Sequence, residues 1–202
     1  MLPTPTESMI RAPAPLVAAL AVALLVGGSA ACGASEPPPR AAGSERALAP
    51  YDAWARQVFD DNIEPAAVGL TLENSSPRGD RLLRERALKA DVVARVRINT
   101  VTVDSVGDQS IYHLGIQIGY PPLATPKVDD RAFELLIRPT SLAYGIAKAF
   151  DSRLRGLTFI GFIRHFVEET GEPGIHWHLS PDTAEVAAIV REAVALGELS
   201  AP

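Results

Sequence analysis

Three of the four histidines, His165, His176 and His178, fall within one fourteen-residue stretch. His176 and His178 are two apart, so on an extended segment both imidazoles point to the same face. If the hairpin holding them closes with Glu169 opposite Gly174, His165 comes to lie across from His178. Three imidazoles in one small area are a ligand set for zinc or copper. A one-residue change of register sends His165 to the other face, and His176 and His178 then read as the polar side of a half-buried strand. Carboxylates are paired at Asp60-Asp61, Asp129-Asp130 and Glu168-Glu169. General acid–base work needs such groups to converge on one substrate, whereas sequence neighbours point apart. The first pair reads as a solvated helix end and the second as loop. There is no HExxH, no GxSxG and no Gly-rich phosphate loop. The residues therefore predict a protein with no catalytic residue and, beyond the zinc or copper reading, no cofactor.

The elements that must position these residues are legible from periodicity. Pro50 opens a short helix with Tyr51, Trp54, Ala55 and Val58 on its core side. Asp80 caps a second helix, RLLRERALK, with Leu82, Leu83 and Ala87 inward and its arginines solvated. From Asp91 the period becomes two: Val92, Ala94, Val96 and Ile98 alternate with Val93, Arg95, Arg97 and Asn99. The apolar phase then slips by one residue, which predicts a bulge near Asn99 and Thr100. A turn at Gly107-Asp108-Gln109 leads to a second strand with Tyr112, Leu114, Ile116 and Ile118 on one face. The longest loop, Gly119 to Arg131, contains Pro121, Pro122 and Pro126, which cannot donate ladder hydrogen bonds. Pro121, Pro122 and Lys127 are its candidate partner contacts, since loops on a rigid scaffold carry recognition. A third strand places Phe133, Leu135 and Ile137 inward. Ser141 caps a helix to about Phe150 with Leu142 and Ile146 buried. A fourth strand, LTFIGFIRHFVEE, is apolar enough to be covered on both faces. A fifth, IHWHL, turns Ile175, Trp177 and Leu179 one way. The last helix has Ser180 as N-cap, Pro181 at its first position and Gly197 past its end, with Val186, Ile189, Val190, Ala193 and Val194 buried.

The N-terminus carries a different kind of signal. Leu16 to Val26 is an apolar run of eleven residues, preceded by Arg11 and followed by Gly27-Gly28-Ser29-Ala30-Ala31 and the only cysteine, Cys32. A basic residue, a short apolar run and small residues before a cut site form the secretory-signal pattern, and eleven residues are too few to span a bilayer. A start at Met9 instead of Met1 brings the basic residue closer to the chain's beginning. The segment resembles a bacterial lipoprotein signal, in which cleavage precedes a cysteine whose thiol takes the lipid. Ala30 and Ala31 match that pattern, and Ser29 stands where an aliphatic residue is usual. Cys32 is the expected lipidation site. Gly33, not aspartate, follows it, which by the same resemblance favours the outer membrane. The stretch 32–50, GASEPPPRAAGSERALAP after the cysteine, is a Pro/Ala-rich tether. The predicted organisation is thus signal 1–31, tether 32–50 and one domain over 51–200.

About 150 residues are enough for one core without disulfides. The net charge is −5, which leaves no basic surface for nucleic acid. Three strands, a helix and two more strands, with a bent first strand, resemble the oligonucleotide/oligosaccharide-binding (OB) barrel over residues 91–180. With helices added at both ends, ADVVARVRINTV and later LRGLTFIGFIRHF resemble its netrin-like variant. The disulfides of animal netrin-like domains are missing, so the inhibitor roles and binding residues of that family do not carry over. The whole chain resembles uncharacterised single-domain lipoproteins of high-GC Gram-negative bacteria, some labelled as cobalamin-transport solute-binding proteins. The fold expected is mainly β with flanking helices (α+β), around a five-stranded OB-like barrel. The function expected is a lipid-anchored, non-enzymatic module of the cell envelope, periplasm- or surface-facing, binding a protein or a saccharide. The alternative is a small-ligand or metal-binding accessory of a transport system.

Overall fold

Period-two alternation builds a curled sheet in the computed structural model, which describes residues 47–70, 76–107, 109–119, 121, 123–124 and 131–200. The elements are β1 (Ala49–Pro50), α1 (Ala53–Val58), β2 (Asn62–Ile63), α2 (Arg81–Lys89), β3 (Val92–Val106), β4 (Gln109–Ile118), β5 (Ala132–Ile137), α3 (Tyr144–Leu154), β6 (Thr158–Val167), β7 (Pro173–Pro181) and α4 (Ala184–Ser200). The architecture is mixed α+β. The sheet order is β2-β7-β6-β3-β4-β5, with β1 parallel to the end of β6. Cys32, Pro122, Lys127 and Asp129-Asp130 lie outside the described residues.

The first long hairpin is bent where the apolar phase slips. Ile98 pairs with Ile116 but Thr100 with Gly115, so Asn99 is the extra residue of a bulge. Alternation gives the sheet a core on each face. Val92, Ala94, Val96, Ile98, Leu114, Leu135, Trp177 and Leu179 pack with Ala147 and Leu154 of α3 on one side. Val93, Ile160, Phe162 and Phe166 pack under α1, α2 and α4 on the other. β6 is buried on both faces, as its continuous apolar run predicts.

Several helix assignments differ from the sequence reading, each for a local reason. Pro50 belongs to β1, and Asp52 caps α1 by accepting from the Ala55 amide at 2.9 Å. Trp54 sits at the surface, its Nε1 donating to Glu85 Oε1 at 2.6 Å. Ser141 does not cap α3; its hydroxyl accepts from the Arg138 amide in the turn before it. Leu142 is 66% exposed, and Ala143, Ala147 and Leu154 take the buried side. Ser180 and Pro181 end β7, so the cap of α4 falls to Thr183, whose hydroxyl accepts from the Val186 amide at 3.2 Å. Gly197 lies inside α4 against Leu88 rather than beyond its end. The buried stripe Val186, Ile189, Val190 and Ala193 is as the spacing predicts. Among the described residues no helix is long and apolar enough to cross a membrane.

Candidate functional site

The polar face of β7 is buried, not solvated. His176 and His178 are 3% and 2% exposed, and Ser180 is wholly buried. Their cover comes from the segment that joins α1 to β2. After Phe59 the chain turns at Asp61, a non-glycine residue with φ of 47°, a conformation that side chains other than Asn and Asp rarely adopt. It then runs parallel to β7, pairing Asn62 with His178 and Ile63 with Leu179. The Asp61 amide donates to the Trp177 carbonyl and the Glu64 amide to the Leu179 carbonyl, each at 2.9 Å. Asp60, Asp61 and Glu64 are thereby hung along the edge of β7.

Each imidazole lies between two carboxylates. His176 Nδ1 is 3.0 Å from Asp61 Oδ2, and its Nε2 is 2.9 Å from Glu168 Oε1. His178 Nδ1 is 2.6 Å from Asp60 Oδ1, and its Nε2 is 3.0 Å from Glu64 Oε1. The Ser180 hydroxyl donates to the same Glu64 oxygen at 2.5 Å. A neutral imidazole has one donor and one acceptor, and an ionised carboxylate only accepts. Each carboxylate–imidazole–carboxylate row therefore holds two protons: either the imidazolium donates at both nitrogens, or one carboxyl is protonated and the imidazole is neutral. Tyr51 closes the first row from above, its ring stacked on His176 at 3.3 Å between centroids and 8° between planes. Its hydroxyl donates to the Phe59 carbonyl at 2.7 Å.

Arg86 supplies the fixed cation. It is 4% exposed, its Nε donates to the Val58 carbonyl at 2.8 Å, and its terminal nitrogens lie 3.9 Å from Asp60 and 3.5 Å from Asp80. Arg81 and Arg84 are solvated as the sequence predicts, but Arg86 is not, and Asp60-Asp61 is not a solvated helix end. Burial pushes the Asp61 carboxyl above the usual range, against the hydrogen bond and charge of His176 and the Trp177 amide. Burial would raise Glu64 too, but the hydrogen bonds from His178 and Ser180, with the charges of His178 and Arg86, hold it below that range. Burial raises the Tyr51 phenol, helped by Asp61, Asp60 and Glu168. Burial lowers Arg86, offset by Asp60, Asp80 and Glu64.

One end of this network is open to solvent. A cleft of about 700 Å³ is lined by Tyr51, Asp61 and His176, by the 138–142 turn, and by the β6–β7 turn carrying Glu168, Glu169 and Glu172. Arg56 also lines it, paired with Glu169 at 2.6 Å.

The three-histidine cluster is not formed. The hairpin pairs Phe162 with His178 and His165 with Ile175, a register three residues away from the one with Glu169 opposite Gly174. An odd shift reverses facing, so His165 lies on the opposite face of the sheet from His176 and His178. It is half-buried there, its amide and Nδ1 both within hydrogen-bond reach of Asp91. Both nitrogens of His176 and His178 are held by carboxylates, leaving no imidazole lone pair directed at a cation. Among the described residues no group of three or more His, Cys, Asp or Glu is arranged to hold a metal. Of the loop contacts, Pro121 is exposed. The Leu123 and Ala124 amides donate to the Val93 carbonyl and tie the loop's root to β3.

Asp60, Asp61, Glu64 and Arg86 were not singled out as site residues by sequence reasoning. One signal for them was present: a strand paired to a doubly buried neighbour must itself be covered, so its histidines need buried counter-charges. Comparison with protein-family models, with curated proteins and with solved structures finds no match.

Proposed function

We propose that this chain is a lipid-anchored, non-enzymatic binding module of the cell envelope, and that its capture site is the cleft over Tyr51, Asp61 and His176. The observation that carries the reading is the cleft itself. Side chains from α1, the β5–α3 turn, the β6–β7 turn and β7 line one cavity, on a floor held rigid by buried hydrogen bonds. Preformed concavity with a few fixed polar groups is what a ligand site requires. The lipoprotein-like segment ending at Cys32 and the tether after it support anchoring, with the outer membrane favoured. The strand order β5-β4-β3-β6-β7 supports kinship with the OB barrel, β2 occupying the edge of β7. The exposed Pro121, with Pro122 and Lys127, offers an accessory contact beside a protein or saccharide partner.

The test is affinity capture from membranes in mild detergent, with metabolic lipid labelling, comparing the full chain with Cys32→Ala and Glu168→Gln. The expected result is label lost only in Cys32→Ala and an envelope component lost only in Glu168→Gln. A chain that carries no lipid and retains nothing overturns the proposal.

One observation favours a second reading, acid–base chemistry. Asp61 combines a left-handed backbone, a raised carboxyl and a place in the cleft beside His176, a conjunction common at active sites. Turnover abolished by Asp61→Asn in a broad substrate screen would establish it.

A further inference from the structure

All but two of the charged groups of the cleft have a hydrogen-bonded or ion-paired partner of opposite character. Asp60 is held by His178 and Arg86, Asp61 and Glu168 by His176, and Glu169 by Arg56. Two groups are left, Arg138 and Glu172. Both line the cleft, and neither side chain has a hydrogen bond or ion pair among the described residues. Arg138 senses the buried carboxylates only through space, as one of the charges that pull Asp61 down. The two come from different segments, Arg138 from the turn after β5 and Glu172 from the β6–β7 turn, so they present separate points of opposite charge to one cavity.

We infer that the cleft takes a zwitterion: a short peptide or amino acid whose carboxylate meets Arg138 and whose ammonium meets Glu172. A guanidinium offers a planar fork matched to a carboxylate, and here Thr140 and Ser141 line the same cavity. The ammonium's remaining donors find acceptors in Glu168 and Glu169, which lie in the same turn as Glu172. Leu142, exposed and lining this cavity, supplies an apolar contact for a side chain. A purely anionic ligand leaves Glu172 unmet, and a purely cationic one leaves Arg138 unmet. A neutral sugar meets neither charge with an opposite one. The inference rests on the cleft being the capture site, and adds the class of ligand.

Calorimetric titration of the full chain in detergent tests it, using alanyl-leucine, N-acetyl-alanyl-leucine, alanyl-leucinamide and N-acetylglucosamine. The free dipeptide is expected to bind, and blocking either end is expected to weaken it about tenfold, the loss of one charge-assisted contact. In Arg138→Ala the amide and the free acid bind alike, and in Glu172→Gln the acetylated and free peptides bind alike. Both residues are at the surface, so unchanged melting of the variants separates lost contacts from lost folding. Equal binding of all three peptides overturns the inference. Binding of the sugar alone also overturns it and leaves the cleft as capture site. Binding of none of the four, with no component captured from membranes, overturns both.

Discussion

Arg86 is the residue on which the buried polar network depends most heavily. Removing one partner of a buried charge group leaves the others uncompensated, which costs about 3–5 kcal/mol. Arg86→Met keeps the stem and deletes the charge facing Asp60 and Asp80, so a loss of that size is expected in urea unfolding at pH 7. The carboxylates on the two histidines make opposite contributions to the pH profile. Glu64, held low, stabilises the fold above its unfolded value, and that stability is lost as pH falls through its folded value. Asp61, held high, contributes fully below its unfolded value, and its contribution is lost as pH rises through the raised folded value. Glu64→Gln is therefore expected to cost about 1–3 kcal/mol at neutral pH and to lose that cost in acid. Asp61→Asn is expected to flatten the decline on the rising side. Denaturant midpoints from pH 3 to pH 7 read both, and parallel profiles for the two variants would refute the assignment.

At the scale of elements, α4 is started by Thr183, not by the serine three residues earlier. Thr183→Ala is expected to cost about 0.5–2 kcal/mol, the usual loss for an N-cap. Ser180→Ala acts elsewhere, by removing a donor from Glu64, so its effect follows pH and that of Thr183→Ala does not. The centre of the sheet is tight where β3 and β6 pair. A methyl group added at Gly161 meets both methyls of Val96 at 3.0 and 3.1 Å. Gly161→Ala is expected to cost about 1–3 kcal/mol by overpacking, and Val96→Ala in the same chain to return part of it. Much of this level was legible in advance. The Asn99 bulge, the β3–β4 turn and the buried stripe of α4 all follow from side-chain periodicity, which acts between near neighbours. The caps of α3 and α4 were misplaced because Ser141 and Ser180 spend their hydroxyls on a turn amide and on Glu64.

For the whole molecule, the first described residues are integral to the fold. Ala49 pairs with Phe166, the Tyr51 amide donates to Val167, and the Tyr51 ring covers His176. A chain beginning at Ala47 is expected to melt with the full-length protein. One beginning at Ala53 is expected to lose about 2–4 kcal/mol, as for a deleted packed aromatic and its hydrogen bonds. Equal stability of the two truncated chains would place the boundary of the fold later than Tyr51. The folded unit therefore reaches back into the stretch read as tether, through β1.

Alternation and helical spacing, read along the chain, determined most strands, the bulge and the apolar face of the last helix, because each depends on residues a few positions apart. Tertiary structure alone decided the register of the β6–β7 hairpin, and with it the separation of His165 from the other two histidines. It alone placed β2 on the edge of β7, buried Arg86 and set Asp61 against His176, a contact spanning 115 residues. The physical reason is the range of the forces that select each feature. A period of two or 3.6 is selected by local burial, whereas the partner of a buried charge is selected by whichever distant group the packed sheet and helices bring to it.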